Sequence, residues 1–515
     1  MMAKPEARGW LRSEPADLPV TATPRRLVDL LFVNPPSPEG ETWIRCPHRG
    51  GQRAPEGTVW PQAGLAQNAA IFPERRVRIV DANAQRLTWG DIEAELAHLQ
   101  PRWYVTHFAG PILEHDLQGL ARAKRAGAAT VVAGPLATPV AYELLRRFPA
   151  LDYVVCGEPE VALRELVDTV EGLWEERPPQ IARLCASVSQ GPQPRTLGAV
   201  RGLAWRHEGE IILNPRPPLV PRLDDLPLPN HSLLPLGSCR APDIQAPAAV
   251  VVTGRGCPGE CCFCLKHVAY GPAVRVRSPE SIVDEMLALQ RLGVRHIYMQ
   301  ADLFTVCRDQ VRDLCRLIAA EALEVAWSCS ARVDSVDEEL LQAMARAHCR
   351  RITWAIESGS DALLWRAGKR TRAAEAQQAV AWAGAAGIHN WGAFQLGLPG
   401  ESEETIQQTI ALAKSLSLER ATFELAVPRP GTPFWEQATL KQWLVPGARW
   451  EDGDACGPAI VEYPGLAAPR LEHALERAYR EWALRPGSSW GQLDRLARSR
   501  PAAWWDPGPQ LPRTL

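Results

Sequence analysis

No stretch of this 515-residue sequence approaches the roughly 18 consecutive apolar residues of a membrane-spanning helix. Met1-Met2-Ala3-Lys4-Pro5 leads into charged, proline-rich sequence and lacks the apolar core of a signal peptide. Neither sign of charge dominates. With 57 basic residues against 59 acidic ones the net charge is −2, so no field gathers nucleic acid or an anionic membrane. Nor is there a basic recognition helix, a long heptad run or a charged tail to serve as the output module of a sensor. The second ligand pair that structural zinc needs is missing too. What these absences leave is a reduced, cytoplasmic chain with 13 cysteines, long enough for two domains plus extensions.

The chain is organised around Gly254-Arg255-Gly256-Cys257-Pro258-Gly259-Glu260-Cys261-Cys262-Phe263-Cys264. Cysteines spaced C-x3-C-x2-C follow directly on the apolar run Ala248-Ala249-Val250-Val251-Val252, which reads as a strand entering a cysteine loop. Three thiolates on one short loop can hold three irons of a four-iron cluster and leave the fourth open for chemistry. Zinc is the competing metal, and the nearest histidine, His267, stands three residues beyond Cys264. Only Cys261 gives the three-then-two spacing with Cys257 and Cys264, so Cys262 reads as a packing residue.

C-x3-C-x-aromatic-C after the first strand of a βα series resembles the signature of the radical S-adenosylmethionine (SAM) enzymes. The resemblance implies that Cys257, Cys261 and Cys264 bind a [4Fe-4S] cluster, with Phe263 as the aromatic before the last ligand. It implies that SAM chelates the open iron and that an external electron donor such as flavodoxin or ferredoxin reduces the cluster. Cleavage of SAM would then yield a radical that takes hydrogen from a small-molecule substrate.

Residues 1–25 read as an irregular tail. Over 26–170, apolar runs at 27–33, 77–81, 103–106, 130–134 and 152–157 alternate with helical periods at 62–72, 89–99 and 113–126. That rhythm predicts an α/β domain: a doubly wound parallel sheet, helices on both faces, a ligand site beyond the strand carboxyl ends. The landmarks Asn34-Pro35-Pro36, Val80-Asp81-Ala82, Gly134-Pro135 and Cys156-Gly157-Glu158-Pro159-Glu160 resemble, in order, the cobalamin-binding domain of one branch of the radical SAM family. On that resemblance Thr106, His107 and Gly134 are expected at a cobalamin site. The D-x-H-x-x-G string of methionine-synthase-type cobalamin domains is absent, and His107 reads either as a cobalt ligand or as a hydrogen-bonded packing residue.

Residues 171–247 read as a proline-rich connector around a hairpin at 200–213. From 248 to 440 the βα rhythm resumes, with strands expected at 249–253, 296–300, 324–328, 351–356, 390–396 and 422–427. Six repeats predict a partial (β/α)6 barrel, with chemistry at the strand carboxyl ends. Its first helix has Ser278 to cap it, Pro279 in the first turn, Ile282, Met286 and Leu289 on one face, and Gly293 to end it. Residues 441–515 read as a mainly helical extension, with a helix at 469–484. On the resemblance this extension lies over the barrel mouth.

The strand ends carry Asp302, Arg332 with Asp334, and Glu357 with Ser358. SAM accounts for these types, because its ammonium needs acceptors, its carboxylate a cation such as Arg332, and its ribose hydroxyls Glu357 or Ser358. Simpler roles compete: a salt bridge between Arg332 and Asp334, and a helix cap by Glu357. Gln300-Ala301 ahead of Asp302 departs from the paired acids usual in this branch.

The branch contains cobalamin-dependent methylases, the anaerobic magnesium-protoporphyrin ester cyclase and hopanoid-tailoring enzymes. The resemblance therefore implies radical SAM chemistry with cobalamin-dependent methylation of an unactivated carbon. Oxidative cyclisation or rearrangement of a tetrapyrrole or lipid is the alternative enzyme, and a non-catalytic cobalamin or cluster sensor the alternative of another class.

Overall fold

The computed structural model describes residues 26–45, 51–54, 57–189, 193–240, 244 and 246–485. The tail expected over 1–25 and the end of the C-terminal extension lie outside these residues. Two sheets carry the architecture.

In the first sheet the strands stand side by side in the order Val77–Asp81, Leu30–Asn34, Trp103–Thr106, Ala129–Ala133, Tyr153–Val155, Leu203–His207 and Glu210–Leu213. The first five are parallel. In chain order they run second, first, third, fourth, fifth, so the direction of winding reverses between Leu30–Asn34 and Trp103–Thr106. In open α/β sheets a ligand binds in the crevice at that switch point. The hairpin Leu203–His207 and Glu210–Leu213, which in sequence sits inside the connector, pairs antiparallel with Tyr153–Val155 and extends this sheet. The helical period at 113–126 forms two short helices, Leu113–Asp116 and Gln118–Arg125. At the break Asp116 turns inward, where its carboxylate accepts from Arg45 and from the Ala109 N–H.

The second sheet is parallel throughout and keeps chain order: Ala248–Val252, His296–Gln300, Ala326–Ala331, Cys349–Glu357, His389–Leu396 and Arg420–Leu425. Its first helix, Pro279–Arg291, begins where the Ser278 hydroxyl accepts from the Ser281 N–H, and it buries Ile282, Met286 and Leu289. Six strands leave the barrel open, and each edge is covered. Trp60, Ile44 and Ala63 from the N-terminal region pack on Val250 and Tyr298, with the Trp60 and Tyr298 rings edge to face at 4.8 Å. At the other edge, helix Ala468–Ala483 packs on the last strand.

Inside the barrel the inward positions are filled at one end and small in the middle. Near the strand starts, the Arg351 and Arg420 guanidiniums lie over the Trp391 ring, at 4.0 and 4.8 Å from its centre. Above this floor Thr353, Ala355, Ala393 and Thr422 are too small to fill the section, and a cavity of about 420 Å³ remains. No helix among the described residues is long and apolar enough to cross a membrane.

Candidate active site

The cysteine loop leaves the first barrel strand through a narrow neck, where Gly254–Arg255 pairs antiparallel with Arg275–Val276. Gly256, at φ 86°, lies so close to the Ala273 carbonyl that an added Cβ would stand 2.0 Å from its oxygen, so this turn admits only glycine. Asp302, at the end of the second strand, accepts from the Gly256 N–H at 2.6 Å. Lys266 Nζ donates to the Cys257 carbonyl at 2.9 Å, and His267 Nε2 bonds the Cys261 carbonyl at 3.0 Å. The backbone of the loop is thus held from both sides.

Cys257 and Cys261 are buried and Cys264 is half-buried. A Cβ built on Gly259 would lie 3.4 Å from Cys257 Sγ, 3.9 Å from Cys261 Sγ and 3.5 Å from Arg332 Nη1, so two thiols and a guanidinium surround one bare stretch of backbone. Burial pushes the Cys261 thiol up and the Cys264 thiol up to about 12. Such thiols stay protonated at neutral pH and ionise when a metal replaces the proton. Among the described residues no three side chains converge as the ligands of one ion would. Three thiols on one short loop are the donor type and number for three corners of a four-iron cluster. Cys262 packs in the hydrophobic core, and its backbone is bonded to the Ala367 carbonyl and the Phe434 N–H.

Arg332 follows the third strand and makes the salt bridge with Asp334 that competes with its expected role toward SAM. Its guanidinium grips Asp334 at 2.7 and 2.9 Å, and Nη1 still reaches Cys261 Sγ at 3.9 Å. Glu357, at φ 71°, does not cap the following helix. Its carboxylate accepts from Lys369 Nζ at 3.2 Å and from Gln395 Nε2 at 2.8 Å, which holds an acid at the end of the fourth strand. Ser358 is not brought to this group: it is fully buried, bonded to the Thr409 hydroxyl and to the Ser360 N–H. Phe263, Cys264, Lys266, Asp302 and Gln395 line the barrel cavity, so the loop, the second-strand acid and the interior face one space.

Thr106, His107 and Gly134 line one cleft at the switch point of the first sheet, opposite Val252, Arg255, Tyr270 and Gln300 of the barrel. Trp60 borders both spaces. Thr106 is buried and donates to the Val33 carbonyl at 3.0 Å. His107 Nε2 lies 3.0 Å from Asn34 Oδ1, and Asn34 Nδ2 donates to Asp81 at 2.6 Å. With the Asn34 amide nitrogen committed to Asp81, its oxygen must accept, so Nε2 of His107 carries the proton and Nδ1 the lone pair. Burial holds His107 down to about 3, a neutral imidazole at physiological pH, and raises Asp81 to about 6. The cleft measures about 100 Å³, less than a corrin occupies, but nothing lies within 4 Å of a Cβ built on Gly134, so that side is open. A neutral imidazole at a switch-point cleft with an open glycine side is the chemistry a corrinoid would meet there.

The two spaces are tied together by charge that the sequence does not advertise. Glu158 and Glu160 stand at the start of helix Pro159–Glu171. Arg255 is buried against both, Arg275 pairs with Glu158 at 2.7 Å, and Glu158 accepts from the Val220 N–H at 2.7 Å. Lys369 and Gln395, which hold Glu357, gave no signal in sequence either, because their contacts span 12 and 38 residues.

Comparison with known proteins shows the family and the fold. The radical SAM superfamily profile matches residues 251–413. An uncharacterized methyltransferase of Pyrococcus horikoshii is 30% identical over 434 residues, 84% of this chain and 89% of that protein. The anaerobic magnesium-protoporphyrin IX monomethyl ester cyclase of Cereibacter sphaeroides is 25% identical, over 76% of this chain and 62% of the cyclase. Among solved structures, the radical SAM methyltransferase TsrM of Kitasatospora setae, with cobalamin and a [4Fe-4S] cluster bound, has the same fold at a TM-score of 0.65, with 16% identity and coverage of 91% of this chain and 89% of that one. The cobalamin-dependent SAM radical enzyme OxsB, with aqua-cobalamin and SAM bound, follows at 0.60, with 17% identity and coverage of 81% and 61%. The chain belongs to the radical SAM superfamily.

Proposed function

We propose that this protein is a cobalamin-dependent radical SAM methylase acting on an unactivated carbon of a small-molecule or lipid-like substrate. The observation that carries this reading is the placing of two ligand spaces on either side of Trp60: the cleft of Thr106, His107 and Gly134, and the barrel cavity that receives Phe263 and Cys264. A methyl donor in the first would lie next to a substrate in the second. Cys257, Cys261 and Cys264 would hold the cluster, and Arg332, Glu357 and Asp302 would orient SAM. When bound, these groups supply a hydrogen-abstracting radical and a transferable methyl group, while the protein supplies placement and excludes water. The methyltransferase names of relatives support the same reading.

Similarity to the magnesium-protoporphyrin cyclase favours a second reading, oxidative cyclisation without methyl transfer. We read the protein as cytoplasmic, since a reduced cluster needs a reducing compartment and a one-electron donor. The test is anaerobic purification with iron and cobalt counts, followed by mass analysis of products. Cobalt near one per chain and a product heavier by one methyl group support methylation; iron without cobalt, and no methyl gain, would replace it.

A further inference from the structure

Charge inside the barrel sorts by level. Beside the cysteine loop, Lys266 donates to the Cys257 carbonyl and Asp302 accepts from the Gly256 N–H. At the rim two cations meet three acids: Arg53 lies 3.5 Å from Glu41 and 3.4 Å from Asp454, while Arg429 sits in the field of Asp454 and of Glu424, which accepts from Gln52. At the floor Arg351 and Arg420 line the cavity together with Trp391, over whose ring both guanidiniums lie. His296, which shares the Ser328 hydroxyl with Arg351, is neutral at physiological pH, held to about 4 by burial. Beyond the strand starts the charges cancel, Arg295 and Arg350 against Glu324 and Glu419, and all four are exposed to water. The floor is therefore net positive, and it lies at the strand starts, opposite the cysteine loop. Between floor and rim the wall carries the hydroxyls of Tyr298, Ser330, Thr353 and Thr422.

We infer that the substrate is a small polar molecule ending in an oxyanion, a carboxylate or a phosphate-type group, which seats on Arg351 and Arg420 at the barrel floor. Guanidiniums match the geometry of such groups and bond them by charge-assisted hydrogen bonds, and both are fixed here on one indole ring. In a cavity shielded from bulk water such a charge pair is stronger than at the surface. An alkyl chain ending at the same place would strip water from two guanidiniums and return no hydrogen bond, and it would run along a wall of hydroxyls. The floor thus selects against the lipid-like substrates and for small anions. An oxyanion held at the strand starts directs the rest of the molecule toward Phe263 and Cys264, where the chemistry is placed. The inference rests on the proposed function only in taking the barrel cavity as the substrate space.

The test is anaerobic titration calorimetry on the full, cluster-loaded chain, with SAM present so that the probes cannot take its place. Four probes of one chain length are compared: hexanoate, hexylphosphonate, hexanol and hexylamine. At least one of the two anions is expected to bind about tenfold or more tightly than hexanol, and hexylamine more weakly still. Which anion binds better separates a carboxylate from a phosphate-type group, and either preference supports the inference. Arg351→Gln and Arg420→Gln are each expected to remove about tenfold of anion affinity and leave hexanol unchanged, while Arg351→Lys and Arg420→Lys keep part of the margin. Hexanol bound as well as both anions, no binding of either anion, or anion affinity that both glutamine variants retain would overturn the inference. Should Arg351→Gln fail to fold, Arg420→Gln, at the half-buried partner, carries the same comparison, and the head-group series on the parent protein decides without any variant. Products without a methyl gain would count against the proposed function, and the head-group series, which reads binding alone, would still decide the floor.

Discussion

Arg255, two residues ahead of Cys257, is buried against Glu160, the second residue of helix Pro159–Glu171 in the N-terminal sheet. The cysteine loop and the switch-point cleft therefore share one ion pair, reinforced by the positive end of the helix dipole, which favours acids at its first turn. Removing Arg255 leaves Glu160 buried and unpaired, which costs about 3–5 kcal/mol, whereas removing Glu160 leaves Arg255 a second partner in Glu158. Arg255→Ala is expected to lower stability by that order in denaturant titration, and Glu160→Ala by less. Glu160→Ala combined with Arg255→Ala is expected to cost less than the sum of the single changes. Strict additivity would show that the two side chains do not act as a pair.

Cys257→Ala, Cys261→Ala and Cys264→Ala are each expected to prevent cluster uptake and abolish formation of deoxyadenosine from SAM. Cys262→Ala is expected to retain both, because its loop contacts are made by backbone atoms that alanine preserves. Iron and sulfide counts per chain, with chromatography of the nucleoside product, separate these outcomes. Loss of iron in the Cys262 variant alone would reverse the ligand assignment.

Much of this was legible in sequence for physical reasons. The first barrel strand, Ala248–Val252, reads as a short apolar run because it is buried along nearly its whole length, Arg420–Leu425 reads by its alternation, and Ser278-Pro279 marks a helix start by its own chemistry. The pairing of Glu357 with Lys369 and Gln395 was not legible, because it depends on the register of two strands and a following turn. The hairpin ending in Leu213 looked like part of a connector for the same reason. Its alternation showed two strands, but which sheet edge they join is a non-local choice.

His107 gives a pH test. Its folded value, held to about 3 by burial, lies below the unfolded value of about 6.5. Its contribution to stability is therefore full above pH 6.5 and lost as pH falls toward 3, by roughly 1 kcal/mol per pH unit. Asp81, raised to about 6 by burial, acts in the opposite sense: its contribution is full below its unfolded value and lost as pH rises through 6. Replacing His107 with glutamine is expected to flatten the fall in stability between pH 6 and 4 and leave the Asp81 trend. Urea titrations across that range that give parallel pH slopes for both proteins would show that His107 is not held neutral by the fold.

The open edge of the barrel supplies the last test. The Tyr479 hydroxyl accepts from the Phe423 N–H at 2.9 Å and donates to the Phe423 carbonyl at 2.8 Å, so one side chain stands in for a missing neighbouring strand. Its ring meets the Phe423 ring edge to face at 5.2 Å, a contact that phenylalanine would keep. Tyr479→Phe therefore isolates the two hydrogen bonds, leaving a buried donor and acceptor without their partner. The cost expected is about 2 kcal/mol or more. An exposed strand edge also offers a template for pairing with a second chain, so this variant is expected to aggregate earlier on heating. Thermal denaturation followed together with light scattering checks both effects. A phenylalanine variant that melts with the parent protein and stays as clear in solution would mean that the edge is protected by packing of helix Ala468–Ala483 alone.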